Sequence, residues 1–200
     1  MKGSWKTLAA LVSVGLMLVF VAAAGASTKV SNGNFERGDL SDWSTDSTGG
    51  GAWDVYQGNE TTNLSIPFYR PPQGTWAAAS EEFAPSRNAL YRTIGLGSNK
   101  TQQISFYVYY QNFCDDFIPE DQEYRIDIQP DGADPLSTDP ADVLKNLFKT
   151  KPGDNLSKGP KLKTYKLKGL SGPVQLRFLV TASCEELNGG VDDVRLGSAS

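Results

Sequence analysis

The sequence predicts an all-β chain folded as an antiparallel β-sandwich with at most one short helix. Three observations carry that prediction. Short runs of strict period-2 alternation recur along the chain, and clusters of Gly, Pro, Asn and Asp separate them where helical periodicity would be needed for βαβ units. Two acidic signatures frame the runs, Asn32-Gly-Asn-Phe-Glu-Arg-Gly-Asp-Leu-Ser-Asp-Trp43 and Gly190-Val-Asp-Asp-Val-Arg-Leu196, which suggests that the first and last strands lie side by side.

Residues 1–26 combine a basic start (Lys2, Lys6), an apolar run from Leu8 to Ala24 and the small triplet Ala24-Gly25-Ala26, the composition of a cleavable export signal. An uncleaved anchor competes with this reading, because the apolar run approaches the roughly 18 residues that span a bilayer; its Ala-rich end favours cleavage. The expected product is one secreted β-sandwich domain, residues 27–200, with no membrane attachment after cleavage. Of the 19 basic residues, Lys2 and Lys6 precede the cut, so 17 oppose 23 acidic ones in the mature chain. A net charge of about −6 gives no general affinity for phosphate backbones and argues against a nucleic-acid partner.

The clearest strand is 104–111, with Ile104, Phe106, Val108 and Tyr110 inward and Ser105, Tyr107, Tyr109 and Gln111 on the opposite face. The run 123–129 repeats the pattern, Tyr124, Ile126 and Ile128 inward and Arg125 and Asp127 outward. The run 174–180 does so again with Gln175 and Arg177 outward. Weaker strands fall at 52–57, 75–80, 89–94 and 161–168. The last carries Lys161, Lys163, Lys166 and Lys168 and reads as an edge protected against intermolecular pairing. The stretch 139–149 has helical signals, an Asp before Pro140 and then Val143, Leu144, Leu147 and Phe148 at helical spacing; a short helix is expected, with a strand as the other reading.

Cys114 and Cys184 are the only cysteines. In an exported chain they are expected to form a disulfide that closes a loop of about 70 residues, contributing about 4 kcal/mol in the chain-entropy model; two separate buried thiols are the alternative. Sequons for N-glycosylation stand at Asn59, Asn63, Asn99 and Asn155 and matter only in a eukaryotic secretory pathway. The chain has no histidine. That removes Ser-His-Asp and Cys-His catalysis and histidine-held zinc, and no nucleophile elbow or phosphate-binding glycine loop occurs. Carboxylate chemistry remains, yet the acidic doublets Glu81-Glu82, Asp115-Asp116, Glu120-Asp121 and Glu185-Glu186 are expected in loops, where solvation explains them.

Asp192 has the parity of Val194 and Leu196, so its carboxylate is expected to point inward, while Glu36 stands at the exit of the first strand. A calcium ion, taking about six to eight oxygens, would compensate such a carboxylate without histidine or cysteine. The competing reading has Asp192 capping backbone N–H groups and Glu36 pairing with Arg37 or Arg195.

The two end signatures resemble the opening and closing motifs of galactose-binding-like jelly-roll domains, which include many bacterial carbohydrate-binding modules. The segments Leu90-Tyr91-Arg92, 104–110, 124–128 and 174–178 follow in the order such domains show. The resemblance implies a jelly roll of two antiparallel sheets and, at positions matching Glu36 and Asp192, a structural Ca2+. A closer likeness, to secreted bacterial proteins carrying a segment like 124–154, names no activity. If the outward residues of the three clear strands share one sheet, Tyr107, Tyr109, Gln111, Arg125, Asp127, Gln175 and Arg177 make an exposed face suited to a sugar, aromatic rings beside planar hydrogen-bonding groups. A second candidate is the loop end with Phe68 and Tyr69, either available to a partner or folded over the core; Trp43 reads as core. The expected function is a non-catalytic carbohydrate-binding or adhesion-type module acting on an extracellular glycan. The alternatives are a structural or protein-interaction module and a carboxylate-based glycoside hydrolase.

Overall fold

The structure, a computed structural model, describes residues 28–62, 65–98 and 101–199. The expected export signal, residues 1–26, and the sequon asparagines Asn63 and Asn99 lie outside them. Among the described residues nine strands are formed: β1 Thr28–Lys29, β2 Ser44–Gln57, β3 Trp76–Leu96, β4 Gln102–Asn112, β5 Glu123–Pro130, β6 Lys145–Lys149, β7 Ser157–Leu167, β8 Gly172–Ala182 and β9 Leu187–Ser198. Every pairing is antiparallel, in the order β6-β5-β8-β3-β9-β4-β7, with β2 beside β3 and β1 beside β9. The first and last strands are therefore neighbours, Thr28 opposite Leu196, as the end signatures suggest.

The two layers of the sandwich are joined through β3, which is long enough to serve both. Its second half, Ser86 to Leu96, pairs with β8 in the first layer, and Ala78 to Ser80 pair with β9 in the second; β2 follows it through the bend. The bend needs close backbone approach at Gly51 (φ +101°), where a Cβ would stand 2.1 Å from the carbonyl oxygen of Glu81.

Alternation delivers one apolar face per layer, and these faces meet as the core. Ile126, Ile128, Leu176 and Phe178 come from the first layer and Ile104, Phe106, Val108 and Val191 from the second, all buried. Phe106 and Phe178 meet edge to face across the gap with centroids 5.6 Å apart. Trp43 is buried as expected, its indole N–H donating to the carbonyl of Asn32. Cys114 and Cys184 form a disulfide, Cα–Cα 6.3 Å. The lysine-rich β7 pairs only with β4 and is an edge.

Two expectations about local structure are corrected. The helix expected over 139–149 is a three-residue 3-10 turn, Pro140–Asp142, capped by the Asp139 side chain accepting from the N–H of Ala141, followed by edge strand β6. Val143 is already extended (φ −117°, ψ 109°), because pairing of Lys145, Asn146 and Phe148 with β5 outweighs a weak helical spacing. Glu81 and Glu82 lie inside β3 and are buried; the Glu82 carboxylate accepts from the hydroxyls of Ser80 (2.7 Å) and Ser86 (2.8 Å).

Candidate functional site

The outward residues of the three clear strands do not share a sheet. Tyr107, Tyr109 and Gln111 belong to the second layer, and Arg125, Asp127, Gln175 and Arg177 to the outer face of the first. Nor is that first-layer set exposed. Asp127 and Arg177 are fully buried, and the segment 131–139 runs over them. Gln175 Nε2 donates to the carbonyl of Ala133 (3.0 Å), Gln129 Nε2 to that of Asp134 (3.2 Å), and Arg177 Nη1 to those of Pro135 and Ser137. Beneath this cover Asp127 Oδ2 receives Arg125 Nε at 2.7 Å and Arg177 Nη2 at 2.8 Å. Burial holds the Arg177 guanidinium below its ordinary value, and Asp127 offsets this only in part. These residues hold a loop down, and no surface remains there for a sugar. Strand parity distinguishes inward from outward, but outward does not mean solvated.

The outer face of the second layer is divided by the β2–β3 connection. Ala79 of β3 and Gly190 of β9 are paired, and both are small because the Tyr109 ring lies over them: a Cβ on Gly190 would stand 2.1 Å from Tyr109 Cε2. Phe68 and Tyr69 cover Tyr109, with centroids 5.3 and 6.2 Å away, and the hydroxyls of Tyr56 and Tyr109 are 2.7 Å apart. Tyr109 is thus fully buried, and burial raises its phenol well above the ordinary value. Phe68 and Tyr69 are therefore a cap, Phe68 itself being buried.

On one flank of this cap the face opens into a cleft of about 170 Å³ lined by Gln73, Ser105, Tyr107, Leu162, Asp193 and Arg195. A neighbouring cleft of about 190 Å³ shares Gln73, Asp193 and Arg195 and extends to Asn34, Glu36 and Gly74. Tyr107 is half-buried, and Leu162, its partner on β7, is half-exposed. Gln73 Nε2 donates to the Tyr107 hydroxyl at 3.2 Å. Arg195 grips Asp193 with two contacts, Nε to Oδ1 at 2.9 Å and Nη2 to Oδ2 at 2.7 Å, which fixes the guanidinium plane at the cleft. Tyr107 is thus the expected ligand residue that the structure sets in a groove. Gln73, Ser105, Asp193 and Arg195 were not anticipated from the sequence; the Asp-x-Arg spacing within the last strand was the available signal for two of them.

Asp192 is buried, though not by the core. A bulge between the pairs Ser105↔Arg195 and Tyr107↔Asp192 inserts one extra residue, with Asp193 at φ +52°, so Val191 and Val194 both face the core and Asp192 faces out beside Tyr107. Its carboxylate accepts from the N–H of Gln73 (3.0 Å) and of Asp193 (2.6 Å). Glu36 Oε1 accepts from the N–H groups of Thr75 and Trp76 at 2.8 and 2.9 Å, while Arg37 pairs with Asp42 and Arg195 with Asp193. Both carboxylates therefore grip the 73–76 turn that walls the cleft. Burial pushes the Asp192 carboxyl up to about 8; the two N–H bonds oppose this, and the negative charges of Asp193 and Glu36 add to it. Among the described residues no group of three or more His, Cys, Asp or Glu stands arranged to hold a metal, so any such ion would draw on backbone carbonyls as well.

No protein-family model and no curated protein matches the chain. Solved structures do. A family 61 carbohydrate-binding module, TmCBM61, determined in complex with β-1,4-galactotriose, superposes with a TM-score of 0.57 at 15% identity, covering 87% of this chain and all of that one. The K1 and K3 cleaved adhesin domains of the Lys-gingipain of Porphyromonas gingivalis superpose at 0.54 and 0.55, with 17% and 16% identity, covering 88% and 87% of this chain and all of theirs. The fold is that of a carbohydrate-binding-module-like β-sandwich.

Proposed function

We propose that the protein is a secreted, non-catalytic module that binds an extracellular glycan through the open groove beside Tyr107. The observation that carries this reading is the junction of an aromatic side chain with Gln73 and the Asp193–Arg195 pair in one groove. The tyrosine ring can pack on the apolar face of a pyranose while amide, carboxylate and guanidinium groups bond neighbouring hydroxyls. The groove continues past Gln73 to Glu36 and so accommodates successive units of a chain. Likeness to a module that carries galactotriose and to bacterial adhesin domains supports the class, and the disulfide suits an oxidising exterior. No carboxylate pair in the groove stands free for acid–base work: Asp193 is held by Arg195 and Glu36 by two backbone amides.

A structural calcium at Glu36 and Asp192 belongs to the same proposal. Its support is the buried Asp192, which keeps its proton under the negative charges of Asp193 and Glu36; a divalent cation taking the place of that proton would offset them. Bound there, it would stiffen the 73–76 turn that presents Gln73.

One observation favours a second reading, a structural or protein-interaction module: loops cover the outer face of the first layer and the centre of the second. Screening the purified protein on galactans, xylans and other insoluble polysaccharides, with calcium and with chelator, separates the two. The glycan reading expects binding that Tyr107→Ala and Arg195→Ala each weaken at least about 10-fold, the scale of one lost aromatic or charged contact, with little change in melting temperature. Silence on every glycan, or variants that bind like the wild type, would leave the interaction module as the better account.

A further inference from the structure

On the far side of the Phe68–Tyr69 cap the same outer face ends in a row of oxygen acceptors that the proposed groove does not use. Gln111 of β4 is paired with Asn188 of β9, and the register Ala79↔Gly190, Ser80↔Gly189 brings Glu81 of β3 alongside Asn188 one step further on. The face is fixed by the neighbours. A Cβ on Gly189 would meet the core side chains of Val180 and Tyr124, and one on Gly190 would meet Tyr109, so Asn188 points outward with Gly190. Glu81 shares the parity of Ala79, which lies under the Tyr109 cluster. Glu186, two residues before Asn188, continues the row.

The chemistry of the row is one-sided. Asn188 Nδ2 donates to Glu186 Oε1 at 2.7 Å, which settles which end of the amide is nitrogen and leaves Oδ1 as the carbonyl. Asn188 is fully buried, and that Oδ1 has no hydrogen-bond partner; the Oε1 of half-buried Gln111 beside it is also enclosed without one. Two enclosed carbonyl oxygens without donors are costly in a folded protein. They stand with the carboxylates of Glu81 and Glu186, which are close enough that Glu81 adds to the upward pKa shift that burial imposes on Glu186, against the bond from Asn188.

We propose that Glu81, Gln111, Glu186 and Asn188 form a divalent-cation site of the calcium class, separate from Glu36 and Asp192. Hard cations take carboxylate and amide oxygens alike, and two carboxylates with two neutral carbonyls neutralise the charge while partnering both orphaned oxygens. The site ties β3, β9 and β4 together beside the cap, at the end of the face opposite the Tyr107 groove.

Calcium titration calorimetry on the purified, chelator-stripped protein tests it, with the melting temperature in chelator as the folding control. Glu186→Gln, which removes a carboxylate charge, and Gln111→Met, which removes an oxygen ligand, should each weaken one calcium-binding step at least about 10-fold, while leaving any Glu36-dependent step in place. Glu36→Gln should spare the step that Glu186 controls. Gln111 is half-buried, so its variant carries the test if Glu186→Gln fails to fold. The proposal is overturned if the wild type takes up no calcium at millimolar concentration, or if folded Glu186→Gln or Gln111→Met gives the wild-type isotherm. Uptake that disappears wholly in Glu36→Gln would overturn it too, while upholding the structural ion of the preceding section.

Discussion

Replacing Asp127 by Asn should destabilise the protein severely without touching the Tyr107 groove. Asp127 is fully buried and answers five donors: Arg125 Nε and Nη2, Arg177 Nε and Nη2, and Asn146 Nδ2, at 2.7, 3.4, 3.1, 2.8 and 2.8 Å. The amide keeps one acceptor oxygen and turns its NH2 toward another donor, and it strips a fully buried guanidinium of its counter-charge. Breaking a buried pair from one side costs about 3–5 kcal/mol, because the surviving charge is left uncompensated. For a domain of this size 1 kcal/mol moves the melting temperature by about 2–4 °C, so a fall of about 6–20 °C is expected. In urea, with a slope of about 2 kcal/mol/M, the midpoint should drop by roughly 1.5–2.5 M. The cost belongs to the unpaired charge, so the triple replacement Arg125→Met, Asp127→Leu, Arg177→Met should recover much of it, though it also surrenders the bonds from Arg177 to the carbonyls of Pro135 and Ser137. Equilibrium denaturation of the three proteins settles the matter. A loss below about 1 kcal/mol in Asp127→Asn would refute the view that this network holds down the 131–139 cover.

Gly190→Ala should cost about 1–3 kcal/mol by overpacking, since the new methyl lands on a Tyr109 ring already held by Tyr56, Phe68 and Tyr69; denaturation of Gly190→Ala with and without Tyr109→Leu should show the second change rescuing the first. Burial pushes the Glu82 carboxyl from 4.5 up to about 8 against the bonds from Ser80 and Ser86. The folded state therefore holds that proton more tightly than the unfolded one. Its contribution to stability is complete below about pH 4.5 and is lost as pH rises through about 8. Glu82→Gln should flatten the fall in urea midpoint across this window, and an unchanged slope would place the pH dependence elsewhere.

The layers were legible because burial follows alternation: Ile104, Phe106 and Val108, like Tyr124, Ile126 and Ile128, have no other way to leave water. The lysines of β7 likewise announced an edge. What alternation cannot carry is the third layer. Arg177 looks outward in any strand pattern, and only the carbonyls of Pro135 and Ser137, some 40 residues earlier, turn it from a ligand contact into a fastening. Asp192 failed for a different reason: one inserted residue at the Asp192–Asp193 bulge reverses the parity on which its inward direction rested. Gln73 was invisible because its place in the groove depends on how the 73–76 turn is gripped by Glu36 and Asp192, from opposite ends of the sequence. Tyr107 was reached because a tyrosine at an outward position is informative wherever no loop happens to cover it.

The strand shared by both layers also sets the order in which the chain can become a protein during synthesis. By the time β3 has been made, β2 can pair along one of its edges. The other edge waits for β8 and β9, whose residues are added only after about 75 and 90 more. Through that interval a long strand that will lie at the centre of the sandwich presents open hydrogen-bonding groups and Leu90, Ile94 and Leu96 without their cover. A nascent chain of this design is hazardous to itself until its last two strands arrive, and export ahead of folding would move that exposed interval out of the crowded compartment in which the chain is made.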